Sequence, residues 1–540
     1  MPQETHGQLV TVPPDGGWGW VIIMVSFVGF IIMDMPCMGF QVIEPFLLEA
    51  LQVSNPSATL IFSTYVLLMQ ILGPISGGIC NRFGFRITFI IGTLLMATGL
   101  FLVFWINNYF LTVLLYGALA GSGSSCILLV CAVAPGFWFE RKRPIALGLA
   151  SSATGFSLVS VHISQLCSEK FGWRYCFIFW TIIICLTGCL SVLLYPPPMI
   201  QLQGSVVIDN LPLRTVTALD VVNTNQINRI EKVESVHEIP HEILRSISKQ
   251  TGIPLASTSR RVPTNDIEQA RPSLSWYSIS TAGSRPLYKK DVFYNGNLDQ
   301  ALVMSNTPSA SYTLQNSKLP TVQDVKEEKE GQWKIPEAVS RAISEMIDLT
   351  LLKSTVFLLL LLATFLCYTA VYIPIVAFQK MNKGKIEEKY RFMIPILMGA
   401  GITTSRLLIG FLLYSFPSIS ALWIIVTAAI ANGLMLCCVM MSNASAYQLG
   451  LAFFSGAFSS IINPLRSVVI IEKLGLDRLT SSIGMLFLVQ GISCFIGLPI
   501  AELLIQGTGM IYAGLVFSGI CFILSGTTYA LVGIISILKT

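Results

Sequence analysis

Charge is scarce in this sequence: Asp, Glu, Lys and Arg make up 12% of 540 residues, while 53% are hydrophobic. A water-soluble chain of this length carries roughly twice that charge on its surface, so lipid is the solvent the composition fits. All 13 cysteines lie in or beside apolar segments, among them Cys37, Cys80, Cys437 and Cys438, and the polar stretch 196–352 has none. That excludes a disulfide framework and a zinc site, which need paired ligands in polar loops. Cys185 and Cys189, one turn apart in an apolar run, read as packing residues. No phosphate-cradling glycine loop, metal cluster or nucleophile constellation occurs, so neither an enzyme nor a bound cofactor or metal is expected. The formal charge of +5 is too small and too scattered to point to nucleic acid. The first apolar stretch lacks a basic leader and a small-residue cleavage site, and reads as retained rather than as a signal peptide.

What is present is a series of long apolar runs. A bilayer core about 30 Å thick needs about 20 helical residues at 1.5 Å each. Candidate spans run over 19–40, 58–79, 87–106, 110–134, 144–166 and 175–195, then over 355–378, 392–414, 419–440, 446–471, 481–504 and 510–537. Continuous runs such as Val356 to Thr364 exclude the ten-residue alternation of a β-barrel. The expected fold is therefore all-α and integral to the membrane, with twelve transmembrane helices in two six-helix bundles. Small residues in the fourth span (Gly117, Gly121, Gly123) allow close helix packing.

Short-loop cations set the orientation. Arg82 and Arg86 follow the second span, and Arg141, Lys142 and Arg143 follow the fourth, whereas the loops after the first and third carry none. Both termini are then cytoplasmic. The cluster Lys380, Lys383, Lys385, Lys389 and Arg391 disagrees, diluted by Glu387 and Glu388, but the first half normally sets topology. The division expected is a tail at 1–16, a bundle at 17–195, a central cytoplasmic loop at 196–352, a bundle at 353–538 and a short end at 539–540. The loop, rich in Ser, Thr, Asn and Pro, buries too little apolar surface to fold and reads as mostly disordered. Near its end, Val339, Ile343, Met346 and Ile347 mark an amphipathic helix over Glu337 to Leu352 at the inner membrane surface. Its serines and basic pairs such as Arg260 and Arg261 are candidate phosphorylation contexts.

Two stretches narrow the family. Asp15-Gly16-Gly17-Trp18-Gly19-Trp20 leads into the first span, and Phe137-Trp138-Phe139-Glu140-Arg141-Lys142-Arg143-Pro144 runs on to Ala146-Leu147-Gly148-Leu149-Ala150 at the fifth. The tryptophans suit the membrane interface, the cations the inner headgroups and the small residues a packed helix. Asn81-Arg82-Phe83-Gly84-Phe85-Arg86, Phe171-Gly172-Trp173-Arg174 and Leu474-Gly475-Leu476-Asp477-Arg478-Leu479 stand before later spans. Together these resemble the monocarboxylate transporter family, and the six-plus-six layout resembles that of the major facilitator superfamily to which it belongs. The resemblance implies alternating access, a small organic anion or zwitterion as substrate, protons as a coupling partner in some members, and a plasma-membrane setting. Some members also travel with a single-span ancillary glycoprotein; no residue here decides that point.

Charge inside a span is expensive, by about 2.5–3.5 kcal/mol on insertion scales. The candidates are Asp34 in the first span, Arg406 in the eighth and Arg466 in the tenth, with His162, Gln70, Gln490 and Asn463 behind them. Arg406 matches the family's eighth-helix arginine, which implies that it grips the substrate carboxylate; an arginine tied to an acid or to backbone carbonyls across the bundle is the alternative. Proton-coupled lactate carriers of the family place a lysine and an aspartate where this chain has Met38 and Ile402. Asp34, one turn from Met38, is open to three roles: a structural ion pair, recognition of a cationic group, or proton coupling. His162, with Gln165 nearby, reads as a packed histidine. Arg466 follows Asn463-Pro464, where proline opens the helix backbone, making a second candidate site. Three functions compete: a secondary active or facilitative carrier of a small monocarboxylate, an uncoupled facilitator of an amino-acid-like or creatine-like zwitterion, and a non-transporting receptor or scaffold working through its loop. Asn443-Ala444-Ser445 lies too near a span for glycosylation.

Overall fold

The computed structural model describes residues 8–11, 14–195, 199–202, 230–231, 291, 293–296, 343–344, 346–381, 388–416, 420–442, 444–510 and 512–539. With lipid as solvent, each apolar run must satisfy its backbone polar groups internally, and it does so as helix. In chain order these are α1 Gly19–Leu51, α2 Asn55–Ile71, α3 Gly73–Val103, α4 Tyr109–Trp138, α5 Arg143–Phe171 and α6 Tyr175–Leu193. The second half holds α7 Thr355–Phe378, α8 Glu388–Ser415, α9 Ala421–Met441, α10 Ser445–Leu474, α11 Leu479–Thr508 and α12 Tyr512–Lys539.

Among the described residues, eleven of these helices are by themselves long and apolar enough to cross a membrane; α2, with 17 residues, is not. The start of α3 completes its crossing. The chain leaves Ile71 through Leu72 and continues helically until Gly84, whose φ of +79° marks where two helices meet within α3. Only glycine adopts that backbone cheaply. The second and third crossings thus break at Gly84, and twelve crossings result. The outer surface of the bundle is apolar, with Leu94, Phe101, Leu114, Leu186, Phe411 and Leu503 exposed, as lipid contact demands.

The two halves meet along two seams, α5 against α8 and α2 against α11. Both rest on absent side chains. A Cβ on Gly155 would fall on the Gly399 carbonyl, and one on Gly399 would fall on the Gly155 carbonyl. Farther along, a Cβ on Gly148 would stand 3.0 Å from the Gly410 Cα, and one on Gly491 2.8 Å from the Leu67 carbonyl. Thr403 Oγ1 donates to the Ser152 carbonyl at 3.0 Å across the first seam. In lipid, where apolar burial gives no drive between helices, such backbone-close contact supplies the association.

α1 is opened at Pro36, which deprives the helix of one donor. Three neighbouring carbonyls accept hydroxyls from three other helices: Met33 from Tyr65 at 2.6 Å, Met35 from Ser160 at 3.1 Å and Pro36 from Tyr116 at 2.9 Å. This collar fixes the turn that carries Asp34 and Met38.

At the end of the bundle where the chain enters α1, Gln8–Thr11 pairs antiparallel with Met199–Leu202, which pairs in turn with Ile230–Glu231. We call this end the loop face. Most of the stretch read as disordered, and its candidate phosphorylation contexts at Arg260 and Arg261, lie outside the described residues, as does Asn443. The expected amphipathic helix is described only in part. Its Met346 is fully buried against Gly484 of α11 rather than facing lipid. Asp348 caps the short turn Leu349–Lys353 by accepting from the Thr350 amide at 2.9 Å, and that bond holds its carboxyl below the usual carboxylate range.

Candidate functional site

The two signature stretches, read separately in the sequence, clasp each other at the loop face. Asp15, in a left-handed backbone conformation, turns its Oδ1 toward the start of α5, accepting from the amides of Glu140 at 2.8 Å, Arg141 at 3.1 Å and Lys142 at 3.4 Å. An anion there satisfies orphan amides and complements the helix dipole. The Asp15 amide donates to the Trp138 carbonyl at 3.0 Å. Trp18 donates through Nε1 to the Leu193 carbonyl at 3.0 Å, and the Trp20 ring meets Phe139 edge-on. Arg86 closes the same corner with bonds to Leu194 and Val192 carbonyls at 3.0 and 2.9 Å and its guanidinium over Tyr195. Gly16 and Gly17 supply the turn, Gly17 at φ +58°. Arg141 and Lys142 flank the clasp, while Arg143 points inward. Asp15→Ala is expected to destabilise the first half by about 0.5–2 kcal/mol, the cost of losing a capping acceptor at a helix start, with Asp15→Asn losing less. Thermal unfolding of the detergent-solubilised chain measures it, and an unchanged midpoint in Asp15→Ala would refute the clasp.

Deep in the bundle, between the halves, lies a cavity of about 250 Å³. That is below the usual size of sites for drug-sized ligands and fits a small solute. All five residues singled out as substrate-binding candidates line it: Asp34 and Met38 of α1, Arg406 of α8, and Asn463 and Arg466 of α10. They come from both halves, and Gln70 and Gln490 join them. His162 is not among the residues that line it, and Gln165 donates to Glu169 at 3.0 Å.

Arg406 bonds across the α5 seam, where Nη1 donates to the Ser151 carbonyl at 2.8 Å. Its Nε is buried with no partner. The backbone-tied alternative thus describes one edge of the guanidinium, and the rest retains donors to offer. Asp34 is 6% exposed and makes no hydrogen bond or ion pair among the described residues, although the charge of Arg406 acts on it across the cavity. A buried carboxylate without a partner is costly, and such groups mark functional sites.

Arg466 sits two residues after Pro464, where α10 lacks a donor. Gln490 of α11 turns its amide oxygen to the guanidinium, which also lies 5.9 Å from the centre of the Phe487 ring. Beside it, the Tyr368 hydroxyl of α7 donates to Asn463 Oδ1. Met38 and Ile402 both face the cavity, so an apolar wall stands where a lysine and an aspartate would be charged. The sequence reading did not pick out Tyr368, Tyr372 and Phe487, because aromatic residues are common in every span, nor Phe293 and Asn295 of the central loop, which also line the cavity.

A model of the Major Facilitator Superfamily matches residues 20–436, more than half of the chain. Among curated proteins, the chain is 31% identical over 176 residues to monocarboxylate transporter 3 of Gallus gallus (32% of each chain). It is 33% identical over 162 residues to monocarboxylate transporter 14 of Homo sapiens (30% of this chain, 32% of that one) and 31% over 199 residues to monocarboxylate transporter 2 of Mesocricetus auratus (35% and 40%). The matches thus span between 32% and 40% of these relatives' lengths. Solved structures share the fold: the proton:xylose symporter XylE bound to 6-bromo-6-deoxy-D-glucose, with a TM-score of 0.56 at 13% identity over 94% of both chains. The human organic anion transporter MFSD10 (TETRAN) gives 0.51 at 10% identity, covering 95% of this chain and 99% of that one.

Proposed function

The chain belongs to the major facilitator superfamily, with curated relatives among the monocarboxylate transporters, and from that premise we propose that it carries a small carboxylate-bearing organic anion across the plasma membrane by alternating access. The supporting observation is the charge set of the central cavity: two guanidiniums, Arg406 and Arg466, and one carboxylate, Asp34, contributed by α8, α10 and α1. With Asp34 ionised the set holds one surplus positive charge, which a monoanion neutralises. Arg406 grips the carboxylate, since its planar fork stays charged at any cellular pH. Arg466, oriented by Gln490, closes the opposite wall. The loop face is cytoplasmic on this reading, because the basic short loops lie there. The apolar Met38 and Ile402 support transport without proton coupling.

Uptake of radiolabelled monocarboxylates and amino acids by cells expressing the chain, with and without an imposed proton gradient, tests this. A monoanion taken up above vector level, regardless of the gradient, supports it. Failure to take up any organic anion overturns it and leaves the receptor or scaffold reading.

The unbonded carboxylate of Asp34 favours a second reading, a zwitterion with its amine on Asp34 and its carboxylate on Arg406. Asp34→Asn separates the two. Uptake of a monoanion should hold within about threefold, whereas loss of a charge-assisted bond worth about 1.5–3 kcal/mol should lower uptake of a zwitterion tenfold or more.

A further inference from the structure

At the loop face the cavity is not open to a bare mouth. Five described residues of the central loop, Asp291 and Phe293 to Gly296, fill it, although no feature of the polar stretch around them marks them as membrane-associated. The segment is bonded to both halves. Asp291 Oδ2 accepts from Arg143 Nη1 of α5 at 2.7 Å, with the two side chains 9% and 3% exposed. On the other side, the Asn295 amide donates to Ser467 Oγ of α10 at 3.1 Å, and Asn295 Nδ2 donates to the Pro464 carbonyl at 3.3 Å. Phe293 meets Phe487 of α11 edge-on, with ring centres 6.2 Å apart. The Tyr294 amide closes a turn on the Asp291 carbonyl at 2.9 Å, and both aromatic side chains are buried.

Each contact answers a feature of the mouth. Arg143 presents a buried guanidinium, which requires an acid. The Pro464 carbonyl accepts from Ser467 Oγ at 3.3 Å, and a carbonyl oxygen has a second lone pair for Asn295. Phe487 also packs near the Arg466 guanidinium, so the loop's aromatic ring lies one side chain away from the charge set. The segment belongs to the same chain as the bundle, so its docking is intramolecular and occurs at a high effective concentration.

We propose that the loop-face mouth of the cavity is a binding site for a peptide of this chain's own central loop, with the pattern acid, aromatic, aromatic, amide at Asp291, Phe293, Tyr294 and Asn295, and that the docked peptide plugs the cavity on that side. Because it bonds α5 in one half and α10 and α11 in the other, it must leave before the halves can part there and a solute can pass. The role as a plug for a carried solute rests on the carrier reading above; docking and closure do not.

The test therefore reads access rather than transport. In the full-length chain with Ser459→Cys, which places a thiol on the cavity wall, a membrane-impermeant thiol reagent is applied to inside-out and right-side-out vesicles, and modification at position 459 is followed by mass spectrometry. Labelling from the loop face is expected to be slow, and Phe293→Ala, which keeps the Arg143 ion pair, should speed it at least about fivefold by shifting the docked population. Asp291→Ala should do the same, and a synthetic peptide of residues 288–297 should slow labelling again in either background. Equal rates with and without the Phe293 substitution, or no effect of the added peptide, would overturn the proposal. If the chain carries no solute, labelling still decides whether the mouth is plugged; if labelling is unchanged while uptake proceeds, only the plug fails.

Discussion

Arg406→Ala should lower carboxylate uptake efficiency by about 30-fold or more while leaving the protein at the cell surface. Truncating one partner of a buried, hydrogen-bonded charge pair costs about 2–5 kcal/mol, and each 1.4 kcal/mol is tenfold. The geometry locates the loss in binding. Among the described residues, one of the arginine's donors is used, in the bond from Nη1 to the Ser151 carbonyl, and Nε has no partner. The Ser151 carbonyl loses little when that bond goes, because it retains its place in the α5 ladder. The donors free to meet a substrate lose everything. Arg406→Lys keeps the charge and loses the fork, so it should fall between wild type and alanine. An uncharged analogue, such as the amide of the same acid, should be insensitive to either change. Uptake kinetics normalised to surface biotinylation measure all three, and equal losses for acid and amide would show that Arg406 supports the fold instead.

The twelve crossings were legible because lipid tolerates few charges, which makes apolar runs of helix length conspicuous. The same expense made Asp34, Arg406 and Arg466 legible as a site, since three ionisable residues within hundreds of apolar ones stand out. Their pairings were not legible. Gln490 stands out as a polar residue of a span, but only the fold brings it to Arg466, and Tyr368, which bonds Asn463, looks like an ordinary aromatic residue of a span. Helix ends were misplaced where helix and hydrophobicity diverge. α1 runs on to Leu51 past Glu44 and Glu49, whereas the second and third crossings break at Gly84, inside the loop that Arg82 and Arg86 mark. The clasp between Asp15 and residues 140–142 and the seat of Asp291 on Arg143 join distant parts of the chain, and composition carries no record of such pairings.

Gly155→Val is expected to arrest turnover while sparing substrate binding. The Gly155 and Gly399 backbones face each other so closely that a Cβ on either would overlap the other's carbonyl, and Thr403 crowds the same spot. Backbone cannot swing aside as a flexible side chain can, so the two helices must separate; overpacking of this kind costs about 1–3 kcal/mol, occasionally more. The seam joins the two halves, and alternating access requires them to rock about such contacts. A wedge there raises the free energy of whichever state packs α5 and α8 most tightly, and a penalty near 1.4 kcal/mol or above slows the cycle tenfold or more. The cavity's charges stay in place, so the dissociation constant for substrate should change far less than the maximal rate. Gly450→Val, in α10 where nothing lies within 4 Å of a Cβ, carries the same chemical change without the wedge and should transport normally. If Gly155→Val and Gly450→Val behave alike at equal surface levels, the seam is not the axis on which the halves move.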